Sequence, residues 1–368
     1  MCKNDNSAPI IQYDANYLTI EALEDGLTAS LSITDCEFCV DGSGEWMSLP
    51  AATSTPSIDK GHCLSFKAIA SNPVADVGIG TFSITKKCNL RGNILSMRYG
   101  DTAAEFTKLD RTHQFNSLFR DCTTIENIDE GFLPATELRD SCYRNLFRGC
   151  SNLKTAPKLP AGRLTTYCYA YMFQDCVSLE VAPDIIEDIM YASYCARNMF
   201  YNCTNLKKPS KFKTQTTKLS NNCFQYMYAN CVNLEEVAEL IIDEPLGSDC
   251  YGMYMGCTSL KDASKIIINK PQISSYRRMF YGCTSLEFSP TINCLGLSQD
   301  IFKETFYDCQ SLQYIKALFT STPGSSYTSN WVYGVPNNGI FVKNKAATWN
   351  VRGVNGIPNG WTIEEVEV

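Results

Sequence analysis

One phrase constrains this chain more than any other feature. It reads RMFYGCTSLE from Arg278 to Glu287. It returns as YMFQDCVSLE from Tyr171, NMFYNCTNLK from Asn198, YMYANCVNLE from Tyr226 and MYMGCTSLK from Met253. Aligned on the cysteine, the copies stand at Cys122, Cys150, Cys176, Cys203, Cys231, Cys257, Cys283 and Cys309, with steps of 28, 26, 27, 28, 26, 26 and 26 residues. A period near 27 is the mark of a solenoid. One copy cannot bury its own apolar face and must stack on its neighbours.

Each column has a physical reading. Three residues before the cysteine stands an aromatic: Phe119, Phe147, Phe173, Phe200, Tyr228, Tyr254, Phe280 or Phe306. Four before it stands Leu or Met, with Thr305 the exception, and three after it Ile or Leu. These are core columns. A second cysteine column, Cys142, Cys168, Cys195 and Cys223, lies eight residues ahead of the first, and Cys250 seven ahead. Cys142, Leu146, Phe147 and Cys150 are spaced i, i+4, i+5, i+8, which predicts one face of an α-helix. Asp121, Gly149, Asp175, Asn202, Asn230, Gly256, Gly282 and Asp308, directly before the cysteines, suit the left-handed residue that closes a helix. Asp140, Thr166, Ser193, Ser220, Ser248 and Ser274 are candidate N-caps. The expected helix is about ten residues long. A short strand should follow, kept short by Pro157, Pro183, Pro209 and Pro290.

Two residues past the cysteine the chain places Thr124, Asn152, Ser178, Asn205, Asn233, Ser259, Ser285 and Ser311, side chains able to satisfy turn backbone. Four past it stand Glu126, Lys154, Glu180, Lys207, Glu235, Lys261, Glu287 and Gln313. Strands stacked about 4.8 Å apart would pair these alternating signs. The reading is a solvated ladder that fixes register rather than a charged ligand groove, since alternation leaves little net field.

The phrase MFxxCxSL at this period resembles the BspA-like, or Treponema pallidum type, leucine-rich repeat. The resemblance runs from about Phe106 to Phe319, in eight copies. It departs in carrying Met-Phe where many members have Ala-Phe, and in its second cysteine column. What it implies is a curved solenoid with strands on the concave side and helices on the convex side. It further implies a surface protein of Bacteroides-type bacteria or their phages that acts in adhesion.

The flanks lack the period. Residues 1–106 hold short β-type runs, YLTIEAL, LTASLSI, EWMSL, CLSFKAIA and GTFSITKK, with EDG, DGSGE and NPVADVG as turns. This predicts an antiparallel β-sandwich of six to eight strands. Residues 107–320 are the repeats. Residues 321–368, with Trp349 and Trp361, read as a small β cap over the last repeat. Exposed tryptophans would instead stack on a sugar; packing is the preferred reading. The fold class expected is therefore α+β: sandwich, leucine-rich solenoid, cap.

The net charge is −7, which argues against nucleic acid. No apolar run is long enough for a transmembrane helix. The start lacks a signal-peptide pattern, so an export signal was removed or the protein leaves another way, as in phage release. Cys2 resembles the acylated cysteine of a lipoprotein, without a lipobox ahead of it. Enzyme chemistry is hard to assemble: the chain has 2 histidines, His62 and His113, and no phosphate loop, HExxH or GxSxG. Cys36 and Cys39 form one CxxC, too few ligands for zinc. No metal or cofactor is expected, and the repeat cysteines read as free thiols packed as small hydrophobes.

The function expected is non-catalytic recognition, on a cell surface or phage particle, of a protein or glycan. The strand-side stripe Val181, Lys208, Glu236, Asp262, Phe288 and Tyr314 is the candidate surface. The alternative is a structural subunit of a phage virion or fibre, docked through the N-terminal unit to other subunits. A homo-oligomer is compatible with either.

Overall fold

The computed structural model describes residues 13–69, 78–185, 192–212, 216–270 and 272–368. Cys2 and most of the NPVADVG turn lie outside them. Strand dominates. The only α-helix among the described residues is Ser96–Tyr99, followed by a 3-10 turn at Gly100–Glu105.

Seven N-terminal strands are β1 Leu18–Ala22, β2 Ala29–Leu31, β3 Cys36–Val40, β4 Met47–Leu49, β5 Cys63–Ala68, β6 Phe82–Ile84 and β7 Cys88–Arg91. Together with β8, Ile125–Ile128 of the first repeat, they form a six-stranded sheet in the order β4-β3-β5-β1-β7-β8 and a separate pair β2-β6. All of these pairings are antiparallel except β7 with β8. Phe66 of β5 meets Phe82 of β6 edge-on at 5.2 Å, joining the two layers. The sheet therefore passes from the N-terminal unit into the solenoid without a linker.

The solenoid carries a seven-stranded parallel sheet of β9 Thr216–Lys218, β10 Leu240–Glu244, β11 Ile266–Ile268, β12 Phe288–Ile292, β13 Tyr314–Ala317, β14 Ile340–Asn344 and β15 Thr362–Val366. Earlier coils pair through single bridges, such as Asn127 with Thr155 and Val181 with Lys208. The last two strands belong to the C-terminal segment, which covers the stack with two more rungs. Its tryptophans pack: Trp331, Trp349 and Trp361 are all buried. Their ring N–H groups donate to Gly356 O, Phe319 O and Pro336 O respectively.

The expected repeat helices do not form. The segment before each cysteine is a ribbon of successive turns in which every fourth residue is left-handed. In one coil these are Ser141 (φ 57°), Asn145 (φ 55°) and Gly149 (φ 76°); in the next, Tyr167, Tyr171 and Asp175. A right-handed helix cannot contain such residues. An i, i+4, i+8 apolar spacing fits a four-residue turn repeat as well as a helix, so the pattern does not discriminate. The residues directly before the cysteines are left-handed, but they close a turn, not a helix. Ser274, one of the expected N-caps, is itself left-handed. Asp140 instead bonds Thr166 N of the next coil at 3.0 Å, and Ser193 meets Ser220 at 3.2 Å.

The ribbon satisfies its backbone in two alternating ways. Cys142, Arg144, Leu146, Arg148 and Cys150 donate back three residues, to Arg139, Ser141, Tyr143, Asn145 and Phe147. The intervening Ser141, Tyr143, Asn145, Phe147 and Gly149 donate across to Thr166, Cys168, Ala170, Met172 and Gln174 of the next coil. Side chains from both kinds of position fill a single core. The aromatic column forms a stack from Phe82 through Phe119 to Phe306, with adjacent ring centroids 5.3–5.9 Å apart. Where this column holds Tyr, the hydroxyl has a job: Tyr228 accepts Ser210 N at 3.1 Å and Tyr254 accepts Ala238 N at 3.2 Å.

Candidate recognition surfaces

The cysteine column is structural. Each thiol is buried and donates to the carbonyl of the aromatic residue one coil back: Cys150 to Phe119 O at 3.2 Å, Cys176 to Phe147 O at 3.2 Å, Cys203 to Phe173 O at 3.0 Å. Cys231, Cys257, Cys283 and Cys309 repeat the bond, and Cys122 makes it to Phe82 of β6. The carbonyl already accepts the N–H of its own coil's cysteine, as Phe147 O does from Cys150. The thiol fills its second lone pair. The position wants a small apolar group with one weak donor, and cysteine is that residue. Every described cysteine is free and buried. Burial pushes the Cys283 thiol up to about 12 and holds Cys150, Cys176 and Cys203 well above the usual thiol range. Such thiols are neither nucleophiles nor ligands. Cys36 and Cys39 are also buried, on β3. No group of three or more His, Cys, Asp or Glu that could hold a metal occurs among the described residues.

The charge ladder forms at three of its seven steps; among the described residues, Lys154 with Glu180, Lys207 with Glu235, Glu235 with Lys261 and Lys261 with Glu287 make no ion pair. Glu126 lies between Lys154 at 2.6 Å and Lys87 at 3.4 Å, so the ladder starts one coil earlier than the repeat. Lys207 pairs with Glu180 at 3.0 Å, and Gln313 donates to Glu287 at 3.0 Å. The small polar column ties coils together: Thr124 bonds Ile84 O, and Asn152 bonds Thr123 O at 2.7 Å.

The strand-side stripe occupies one register position. Val181 bridges Lys208, Asp262 bridges Phe288, and Phe288 pairs with Tyr314, which pairs with Ile340. Glu236 is exposed in the same column and reaches Lys265 at 3.5 Å. Val181 and Phe288 are 55% and 39% exposed. Phe288 and Tyr314 lie 6.1 Å apart. Ile340, 36% exposed, extends the apolar end and was not singled out from the sequence because it follows the last full copy of the phrase.

A second surface lies on the turn ribbon, on another face of the coils. There Arg148, Tyr171, Arg197, Asn198, Tyr201 and Tyr226 line a depression of about 440 Å³. One small residue helps to shape it: Gly252 lets the Tyr226 ring lie across the next coil. A Cβ on Gly252 would come within 2.5 Å of that ring. Tyr171 (φ 60°), Asn198 (φ 54°) and Tyr226 (φ 54°) are all left-handed. Tyrosine pays about 1–2 kcal/mol for this conformation relative to glycine. Arginine rides over tyrosine here too, Arg144 at 5.1 Å from Tyr167 and Arg197 at 5.5 Å from Tyr194. None of these residues was a candidate from sequence. The available signal was three outward columns, at two, five and six residues before the cysteine, rich in Tyr, Arg and Asn.

No protein-family model, curated protein or solved structure matches this chain.

Proposed function

We propose that the chain is a non-catalytic recognition protein, a leucine-rich-repeat solenoid of the BspA-like type that presents a rigid surface to a protein or glycan on a cell surface. The observation that carries the reading is the in-register stripe ending in Phe288, Tyr314 and Ile340, which exposes aromatic and aliphatic side chains on a hydrogen-bonded sheet. Aromatic residues on a pre-organised surface favour contact, because little conformational freedom is lost on binding. The cysteine thiols and the Tyr228 and Tyr254 hydroxyls are committed to holding coils together, which leaves recognition to the outward columns. Burial protects the thiols from oxidation, so a surface location does not require them to pair.

The test uses the full chain, probed against arrays of cell-surface proteins and glycans. Binding should be found and should weaken at least tenfold in a Phe288→Ala, Tyr314→Ala double variant of unchanged melting temperature. Undiminished binding by that variant would remove the stripe from the function. Absence of any binding would remove recognition itself.

A further inference from the structure

We infer that the depression on the turn ribbon is a binding site for an anionic saccharide. It is separate from the strand-side stripe and uses different residues.

The charge argument comes first. Arg148 and Arg197 both line the depression, and neither has an acidic partner within ion-pair distance among the described residues. Asp175 stands nearby in sequence, but its oxygens are engaged by Asn202 at 2.9 Å and Gln174 at 3.1 Å. A guanidinium presents a planar fork of donors that matches a carboxylate or sulfate with two parallel bonds. The two forks stand two coils apart along the depression, with Tyr171 and Gln174 of the intervening coil between them, so they match acid groups spaced along an extended ligand.

The remaining lining selects the rest of the ligand. Tyr171, Tyr201 and Tyr226 supply ring surface and hydroxyls, and Asn198 supplies an amide that both donates and accepts. Gln174 adds a second amide, and Met255 is the one aliphatic side chain of the lining. A wall of donors, acceptors and ring surface suits a polyhydroxylated ligand better than an apolar one. The size agrees: about 440 Å³ lies at the small end of ligand pockets.

The experiment is titration calorimetry on the full chain with four probes. These are a glucuronate-containing tetrasaccharide, a sulfated tetrasaccharide, neutral maltotetraose and tetraglutamate. At least one anionic sugar should bind, at least tenfold more tightly than maltotetraose and tetraglutamate, and more weakly as salt rises. The tighter of the two names the acid group. Arg148→Gln and Arg197→Gln should each weaken binding about tenfold, and Tyr226→Ala should weaken it as well. The Phe288→Ala, Tyr314→Ala variant should bind these probes normally, which keeps this result distinct from any failure of the stripe. Thermal melting of each variant confirms folding. The inference is overturned if neither anionic sugar binds at millimolar concentration. It is equally overturned if maltotetraose or tetraglutamate binds as well, or if both folded arginine variants bind like the parent.

Discussion

Asp249 offers the sharpest quantitative test of the fold. It occupies the position that the second cysteine column fills in earlier coils, eight residues before Cys257, and it is fully buried. One carboxylate oxygen accepts Leu246 N at 2.6 Å; the other is buried without a partner. Burial raises its pKa to about 7, against the opposing pull of backbone donors at Leu246, Asn222, Cys223 and Gly247. Unfolded aspartate titrates near 3.9. The native chain therefore holds this proton more tightly than the unfolded chain does. Its contribution to stability is complete below about pH 4 and is lost as pH rises through 7. A gap of about three units at 1.36 kcal/mol per unit corresponds to about 4 kcal/mol. Asp249→Asn keeps the shape and the acceptor and removes the titration. Urea unfolding of parent and variant, compared from pH 4 to pH 8.5, should show the variant gaining roughly 3–4 kcal/mol on the parent across that range. Asp101, Asp110 and Glu126 have lowered values and act in the opposite direction, but both proteins share them and they cancel in the difference. A difference that stays constant with pH would refute the assignment of a buried, protonated carboxyl.

Three further outcomes follow from the coil geometry. Gly149 (φ 76°) and Gly282 (φ 71°) share a left-handed column, but a Cβ on Gly149 would collide with the Asp121 carboxylate whereas one on Gly282 meets nothing. Gly282→Ala should cost about 1 kcal/mol and Gly149→Ala distinctly more, compared by denaturant unfolding; equal costs would mean that Asp121 yields freely. Lys154→Glu sets like charges beside Glu126 and should cost about 0.5–1 kcal/mol at low salt, with the loss shrinking in 0.5 M salt. Iodoacetamide followed by mass spectrometry should leave Cys150, Cys176 and Cys203 unmodified until the chain is unfolded, and alkylation of the folded chain there would contradict thiols of raised pKa.

Stacking was legible in the sequence because stacking is written as identity at a fixed spacing. Phe147 and Phe173 had to touch for either to be buried, so their shared column announced the contact. The same holds for Glu126 and Lys154. The local path of the chain was less legible. A period of four among apolar residues is common to a helix and to a ribbon of four-residue turns, and only the backbone sign of residues such as Asn145, Tyr171 and Tyr226 separates them. Tyrosine at a left-handed position is read as helix-compatible by any propensity argument. The ribbon wins because alternate N–H groups bond to the next coil, a partner that local sequence does not contain. The depression was hidden for a related reason. It depends on what is small on one coil beside what is large on the coil before it, Gly252 beside Tyr226. A column that alternates Arg148, Gln174, Tyr201, Ala229 and Met255 looks unconstrained when read down the sequence. In a stack, that variation is the shape of the surface: invariant columns build the coil, and specificity resides in the outward columns that vary.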